Sequence, residues 1–336
     1  MSVFAAATGI GSWPGSAPRE AAEIVVGELH RLPNLVELPA RGVGADMIGR
    51  AGALLVDIAL DTVPRGYRIT ARPGAVVRRA VSLLDEDVDA LEEAWEKAGG
   101  AVSGRSVKVQ APGPITLAAG LELPNGHRAI TDAGAVRDLA ASLAEGVAWH
   151  RAELARRLGT TVVVQYDEPV LPAALAGRLT GVTALNPVHP VDEAAAVELI
   201  DTCVAAAGAE VMLHSCASDL PWKMLQRTGI QALSVDATGL GDGDLDGLGE
   251  FLDSGRAVVL GLLPTNAPQR RPSAEEVAAA AVAVTDRIGF SRAVVGERVG
   301  ISPACGLAGA GAGWARIAIE IAQRAADAVA ADPTAI

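Results

Sequence analysis

The chain carries only 5 His and 3 Cys in 336 residues, yet His214 and Cys216 stand two apart in "VMLHSCAS", at the end of a short apolar run. In an extended segment, residues i and i+2 point to the same side. A neutral imidazole and a thiolate placed this way can share one soft cation, and Zn(II) takes tetrahedral nitrogen and sulfur ligands. Two further ligands must then come from neighbouring strand ends. Asp236 follows the next apolar run, and Cys305 follows the last one, in "SPACGLAG". Gly306 lets the backbone turn tightly there and bring the sulfur inward. A lone Cys is more often a small core residue, so the weight lies on the pair together with a distant third ligand. Cys203, in the helical pattern "ELIDTCVAAAG", is the contrast and is expected in the core.

A second constellation is "VVVQYDEP", residues 162–169, where an apolar strand runs out into Asp167 and Glu168. One of these carboxylates can receive a substrate ammonium. Equally, either can cap the helix that Pro169 opens. A third is "GIGSWPGS", residues 9–16, in which small residues expose backbone N–H groups ahead of a helix opened by Ser16 and Pro18. That suits a carboxylate or phosphate, or is simply a strand-to-helix turn. The Gly-rich "ELPARGVGADMIGR", residues 37–50, lacks the Gly-Lys-Ser/Thr of a P-loop and is not read as nucleotide-binding.

These groups need elements to hold them. Apolar runs at 4–10, 34–38, 106–112, 161–167, 210–215, 232–237, 257–263 and 298–304 are spaced by helical patterns, clearest in "VRDLAASLAEGVAWHRAELARRL". Eight strands each followed by helical sequence predict an α/β protein, a (β/α)8 TIM barrel forming a single domain over 1–336. An extra segment is inserted around 61–105, with a hairpin near "YRITARPGAVV" and a helix over 86–98. A doubly wound open sheet is the alternative, weakened by the lack of a Gly-x-Gly-x-x-Gly turn. In the barrel all the polar motifs fall at the C-terminal ends of strands, which is the catalytic face.

Composition narrows the classes. A net charge of −12 argues against nucleic acid, which needs clustered Lys and Arg. An odd number of cysteines and an N-terminus without a charged, apolar leader predict a cytoplasmic protein. No apolar window is long enough to predict a membrane span.

At these residues the sequence resembles the cobalamin-independent methionine synthase family, in its C-terminal catalytic barrel. Ile10-Gly11-Ser12 is similar to the family's substrate loop, "APGPITL" (111–117) to its Gly-Pro-Val-Thr segment and "QYDEPVL" (165–171) to its Asp-Glu-Pro motif. "HSC" resembles its zinc pair and "CGL" (305–307) its last zinc ligand. The motifs keep the family's order from about residue 8 to 310. The resemblance implies a zinc-dependent methyltransferase that methylates the sulfur of homocysteine in methionine biosynthesis. It implies His214, Cys216 and Cys305 as ligands, with Asp236 where the family has a Glu. It also implies that Asp167 and Glu37 contact the amino group, and that Ile10, Gly11 and Ser12 meet the carboxylate.

Three departures bear on the methyl donor, which the resemblance leaves as methylfolate or a methyl-corrinoid protein. The family's preceding barrel is not expected, because the motifs begin near the N-terminus. No His stands in "VVLGLLPTNAPQ", where methylfolate users place one, and "LAAG" (117–120) stands where they have a Trp. A short form with a donor other than methylfolate is therefore expected. Two alternatives remain open. One is a metal-free uroporphyrinogen-decarboxylase-like enzyme using Arg41, Arg50, Arg72 and Arg78; the other is a non-catalytic barrel that binds zinc or an amino acid.

Overall fold

Val- and Leu-rich runs too short for helices form the sheet that carries the polar groups. In the computed structural model, which describes residues 1–101, 104–181 and 187–336, six of the eight expected runs are regular parallel strands. An antiparallel hairpin, β1 (Ala59–Val63) and β2 (Gly66–Thr70), precedes β3 (Ser106–Pro112). A two-residue β4 (Leu121–Glu122) joins the hairpin. The remaining strands are β5 (Thr161–Asp167), β6 (Val211–Ser215), β7 (Ala232–Asp236), β8 (Ala257–Leu263) and β9 (Val299–Pro303). The main sheet runs β3-β5-β6-β7-β8-β9 in chain order, all parallel. Parallel neighbours need crossover connections, and helices such as Ala133–Leu158, Glu193–Ala206, Asp242–Asp253 and Ala274–Arg287 supply them.

The sheet curls. Phe4, Ala6, Leu32, Val163, Met212, Ala232, Ala257 and Val259 form a small apolar cluster of their own, separate from the large core shared with the helices. Every second residue of each strand points to this inner side. Moving along the strands from that cluster, the inner positions become polar: Lys108, Gln110, Gln165, Asp167, His214 and Ser234. An apolar plug thus lies beneath a polar floor.

The runs at 4–10 and 34–38, expected as strands, make only isolated bridges. Ala7 bridges Ile301 of β9, Asn34 bridges Lys108 of β3, and Ser12 bridges Glu37 between the two runs. Their hydrogen bonds include Thr8 N to Ile301 O at 3.1 Å and Leu35 N to Lys108 O at 2.8 Å. Pro33 and Pro39 bracket the second run and have no N–H to give a ladder; Gly9 interrupts the first and Gly11 follows its end.

The insertion also differs from expectation. The hairpin lies upstream of "YRITARPGAVV", with only Tyr67–Thr70 of that stretch in a strand. Arg72-Pro73-Gly74 ends it, and the following helix runs Ala75–Lys97 rather than 86–98. "AVVRRAVSLL" reads locally as a strand, yet Ala80, Leu84, Val88, Leu91 and Trp95 make one buried helical stripe. Residues 102 and 103 of the insertion lie outside the described residues.

Candidate metal centre

Strand register sets the site. Asp167 of β5 is level with His214 of β6, which is level with Ser234 of β7. Cys216 follows directly where β6 ends, and Cys305 follows β9. His214 Nδ1 meets Ser234 Oγ at 3.0 Å, while its buried Nε2 has no hydrogen-bond partner among the described residues. Cys216 Sγ and Cys305 Sγ are 2.8 Å apart. One donor atom from each of the three residues lies within 4.8 Å of the others. The hydrogen bond from Cys216, with His214 assisting, pulls the Cys305 thiol down to about 4, and the same contact together with burial pushes Cys216 up.

These residues fit a zinc ion. The donor set is one imidazole and two thiols. An unpaired buried nitrogen costs ~1–3 kcal/mol, and the Nε2 of His214 would recover that by coordination, with Ser234 fixing the ring from behind as an outer partner commonly does.

Asp236 is not in this group. It is half-buried at the end of β7, and its Oδ1 accepts from Thr238 N at 2.9 Å and Thr238 Oγ1 at 2.6 Å. The carboxylate turns back to cap its own chain. The β7 side chain that reaches His214 is Ser234, two residues earlier.

His214, Cys216 and Cys305 also line a cavity of about 250 Å³, together with Ile10, Ser12, Glu37 and Asp167 among others. Gly11 has φ +146°, and a Cβ there would sit 2.8 Å from Gln110 Cγ, so glycine is required. Asp167 Oδ1 accepts from Gln165 Nε2 at 2.7 Å, and Glu37 Oε1 from Gln110 Nε2 at 3.1 Å. Burial raises both carboxyls, Asp167 well above its usual range with Glu37 adding to the effect; the cations Lys108 and, for Glu37, Arg50 pull the other way. Burial draws the Lys108 ammonium down to about 7.

The two carboxylates of the Asp-Glu-Pro stretch have separate jobs. Asp167 faces the cavity. Glu168 turns away and accepts from Ile115 N at 2.8 Å, Thr116 N at 2.9 Å and Thr116 Oγ1 at 2.7 Å, at the start of helix Pro114–Gly120. The arginines that a decarboxylase would need are committed or remote. Arg41 Nη2 pairs with Asp87 Oδ1 at 2.6 Å, and Arg50 pairs with Asp87 and approaches Glu37 at 3.7 Å. Arg72 and Arg78 are exposed.

Lys108, Gln110, Gln165 and Ser234 were not singled out in the sequence. The signal was there: each is a polar residue at an alternate position in a strand that is otherwise apolar, and such residues are buried only with partners.

Residues 4–328 match the family model for the catalytic domain of cobalamin-independent synthases. A B12-independent methionine synthase from Shewanella sp. W3-18-1, solved in complex with selenomethionine, superposes with TM-score 0.64 at 12% identity, over 99% of this chain and 100% of that one. A methyltransferase from Methanosarcina mazei superposes with TM-score 0.57 at 13% identity, over 96% of this chain and 93% of that one. No curated protein sequence matches. At these identities the superpositions speak to the fold.

Proposed function

Since the chain belongs to the family of cobalamin-independent synthase catalytic domains, we propose that it is a zinc-dependent S-methyltransferase acting on homocysteine. The observation that carries this reading is the convergence of the unpartnered His214 Nε2 with the Cys216 and Cys305 sulfurs, at the edge of a cavity that also holds Asp167 and Glu37. The barrel reading goes with it: the runs at 4–10 and 34–38 would be its two further staves, a reading that the isolated bridges through residues 7, 12, 34 and 37 support.

His214, Cys216 and Cys305 would hold the zinc. When bound, it supplies a Lewis acid that keeps a substrate thiol deprotonated at neutral pH. The chain's own residues do the rest. Asp167 and Glu37 take the substrate ammonium, a charge that offsets their shared burial. Ile10, Gly11 and Ser12 take the carboxylate. With the amino acid held at both ends, its sulfur points toward the ligand cluster. The sulfur lone pair forms the new bond to the methyl carbon, and the methyl–donor bond breaks with its pair leaving on the donor.

For the donor, the reading is a methyl-corrinoid protein rather than methylfolate. It rests on the absence of a His in 258–269 and of a Trp in 117–120. The test is methionine formation by zinc-loaded protein with homocysteine and each donor in turn. Robust turnover with methylfolate triglutamate would refute the donor assignment alone. No turnover with either donor, with zinc bound, would favour a barrel that binds an amino acid without transferring a methyl group.

A further inference from the structure

Lys108 lies in the middle of β3 with no exposed surface. Burying an ammonium is costly unless its hydrogen bonds are met, and here the partners that meet them are neutral. Nζ donates to Gln165 Oε1 at 2.5 Å and to the Ile10 carbonyl at 3.4 Å. That contact decides which way the Gln165 amide faces. With Oε1 against the ammonium, Nε2 must point the other way, because a flipped amide would set donors against donors. Nε2 then donates to Asp167 Oδ1 at 2.7 Å and to the Ile10 carbonyl at 2.7 Å. One cation therefore reaches, through a single amide, the carboxylate read as the ammonium acceptor.

We propose that Lys108 is a positioning residue for the amino-acid subsite, acting through the amide of Gln165 to set the direction of Asp167. The proposal rests on the reading of that cavity as a homocysteine site. It requires that Lys108 serve the amino end of the ligand and leave the sulfur end alone.

Two thiols separate those ends: homocysteine, and 4-mercaptobutyrate, which is the same molecule without its amino group. Binding of both to zinc-loaded protein is measured by calorimetry for the wild type, Lys108→Met, Gln165→Met and the double variant. Lys108→Met is expected to weaken homocysteine binding roughly tenfold or more, the scale of a lost charge-assisted hydrogen bond. It should leave 4-mercaptobutyrate binding and zinc content unchanged. The double variant leaves neither Lys108 nor Gln165 facing an apolar replacement of the other, and it carries the test if Lys108→Met does not fold. Its loss should match that of a single variant instead of the product of both. Equal losses for the two thiols, or homocysteine binding within about twofold of wild type, would overturn the role of Lys108 and leave the cavity's function standing. A wild type that binds neither thiol would overturn both.

Discussion

The Cys216 and Cys305 sulfurs lie 2.8 Å apart although 89 residues separate them in the chain. Each follows the end of a different strand, and only the curl of the sheet brings those ends together. Two thiols this close, beside an imidazole nitrogen with no hydrogen-bond partner among the described residues, form a donor set that suits a metal.

Removing either sulfur should therefore remove the metal. Cys305→Ser keeps the size but replaces a soft thiolate with a poor ligand. Zinc is expected to fall from about one per chain to roughly a tenth of that or less after dialysis against a weak chelator, because affinity depends on ligand type and count. Metal analysis by mass spectrometry reads this directly. Retention of a full equivalent would mean that the ion sits elsewhere.

Asp236 gives the opposite expectation. Its carboxylate is held by Thr238, so Asp236→Ala should keep about one zinc per chain. The lost cap should cost stability of ~1 kcal/mol, visible as a lower denaturation midpoint. Loss of zinc in Asp236→Ala would show that the carboxylate swings inward when metal binds.

What the sequence disclosed follows from residue rarity. His214, Cys216 and Cys305 are scarce residue types at the ends of apolar runs, so their type and place were enough to group them. Asp236 and Ser234 show the limit. Both lie on the same face of β7, and spacing alone cannot tell which reaches the histidine; register decides it, pairing His214 with Ser234. Glu168 carried two readings that only its three donors from residues 115 and 116 could separate. The strand candidates at 4–10 and 34–38 were visible as apolar runs. Their reduction to isolated bridges depended on where prolines and glycines deny the ladder its hydrogen bonds. Helix Ala75–Lys97 was missed over its first half because β-branched residues at 76–77 suited either structure, and burial against the sheet-side core chose.

Acid sensitivity should trace in part to His150, buried in helix Ala133–Leu158. Burial, with the nearby Arg50 charge, lowers its pKa from 6.5 to about 3. Between these values the unfolded chain binds a proton that the folded chain refuses. The stabilisation is thus full above about pH 6.5 and declines as pH falls toward 3, by at most ~1.4 kcal/mol per pH unit. In His150→Gln this slope should be absent. Urea unfolding of both proteins at pH 7.5 and pH 5 provides the comparison; identical pH dependence would remove His150 from the account.

Asp167 and Glu168 are adjacent, both acidic and both buried, and their amide variants should fail in different ways. Asp167→Asn removes the charge that faces the cavity. Homocysteine binding is expected to weaken roughly a hundredfold, about 3 kcal/mol, as when one partner of a buried charge pair is truncated. Stability should hold or rise slightly, because a desolvated charge repelled by Glu37 has gone. Glu168→Gln puts an amide N–H₂ against donors at Ile115 or Thr116 and leaves at least one of them unpaired. That should cost ~1–3 kcal/mol of stability, with ligand affinity changed little at temperatures well below the melting point. The two variants, compared by calorimetric binding and by thermal unfolding, should fall on opposite axes. If Glu168→Gln instead lost binding while keeping its melting temperature, the division of labour between the two carboxylates would be wrong, and Glu168 would belong to the cavity.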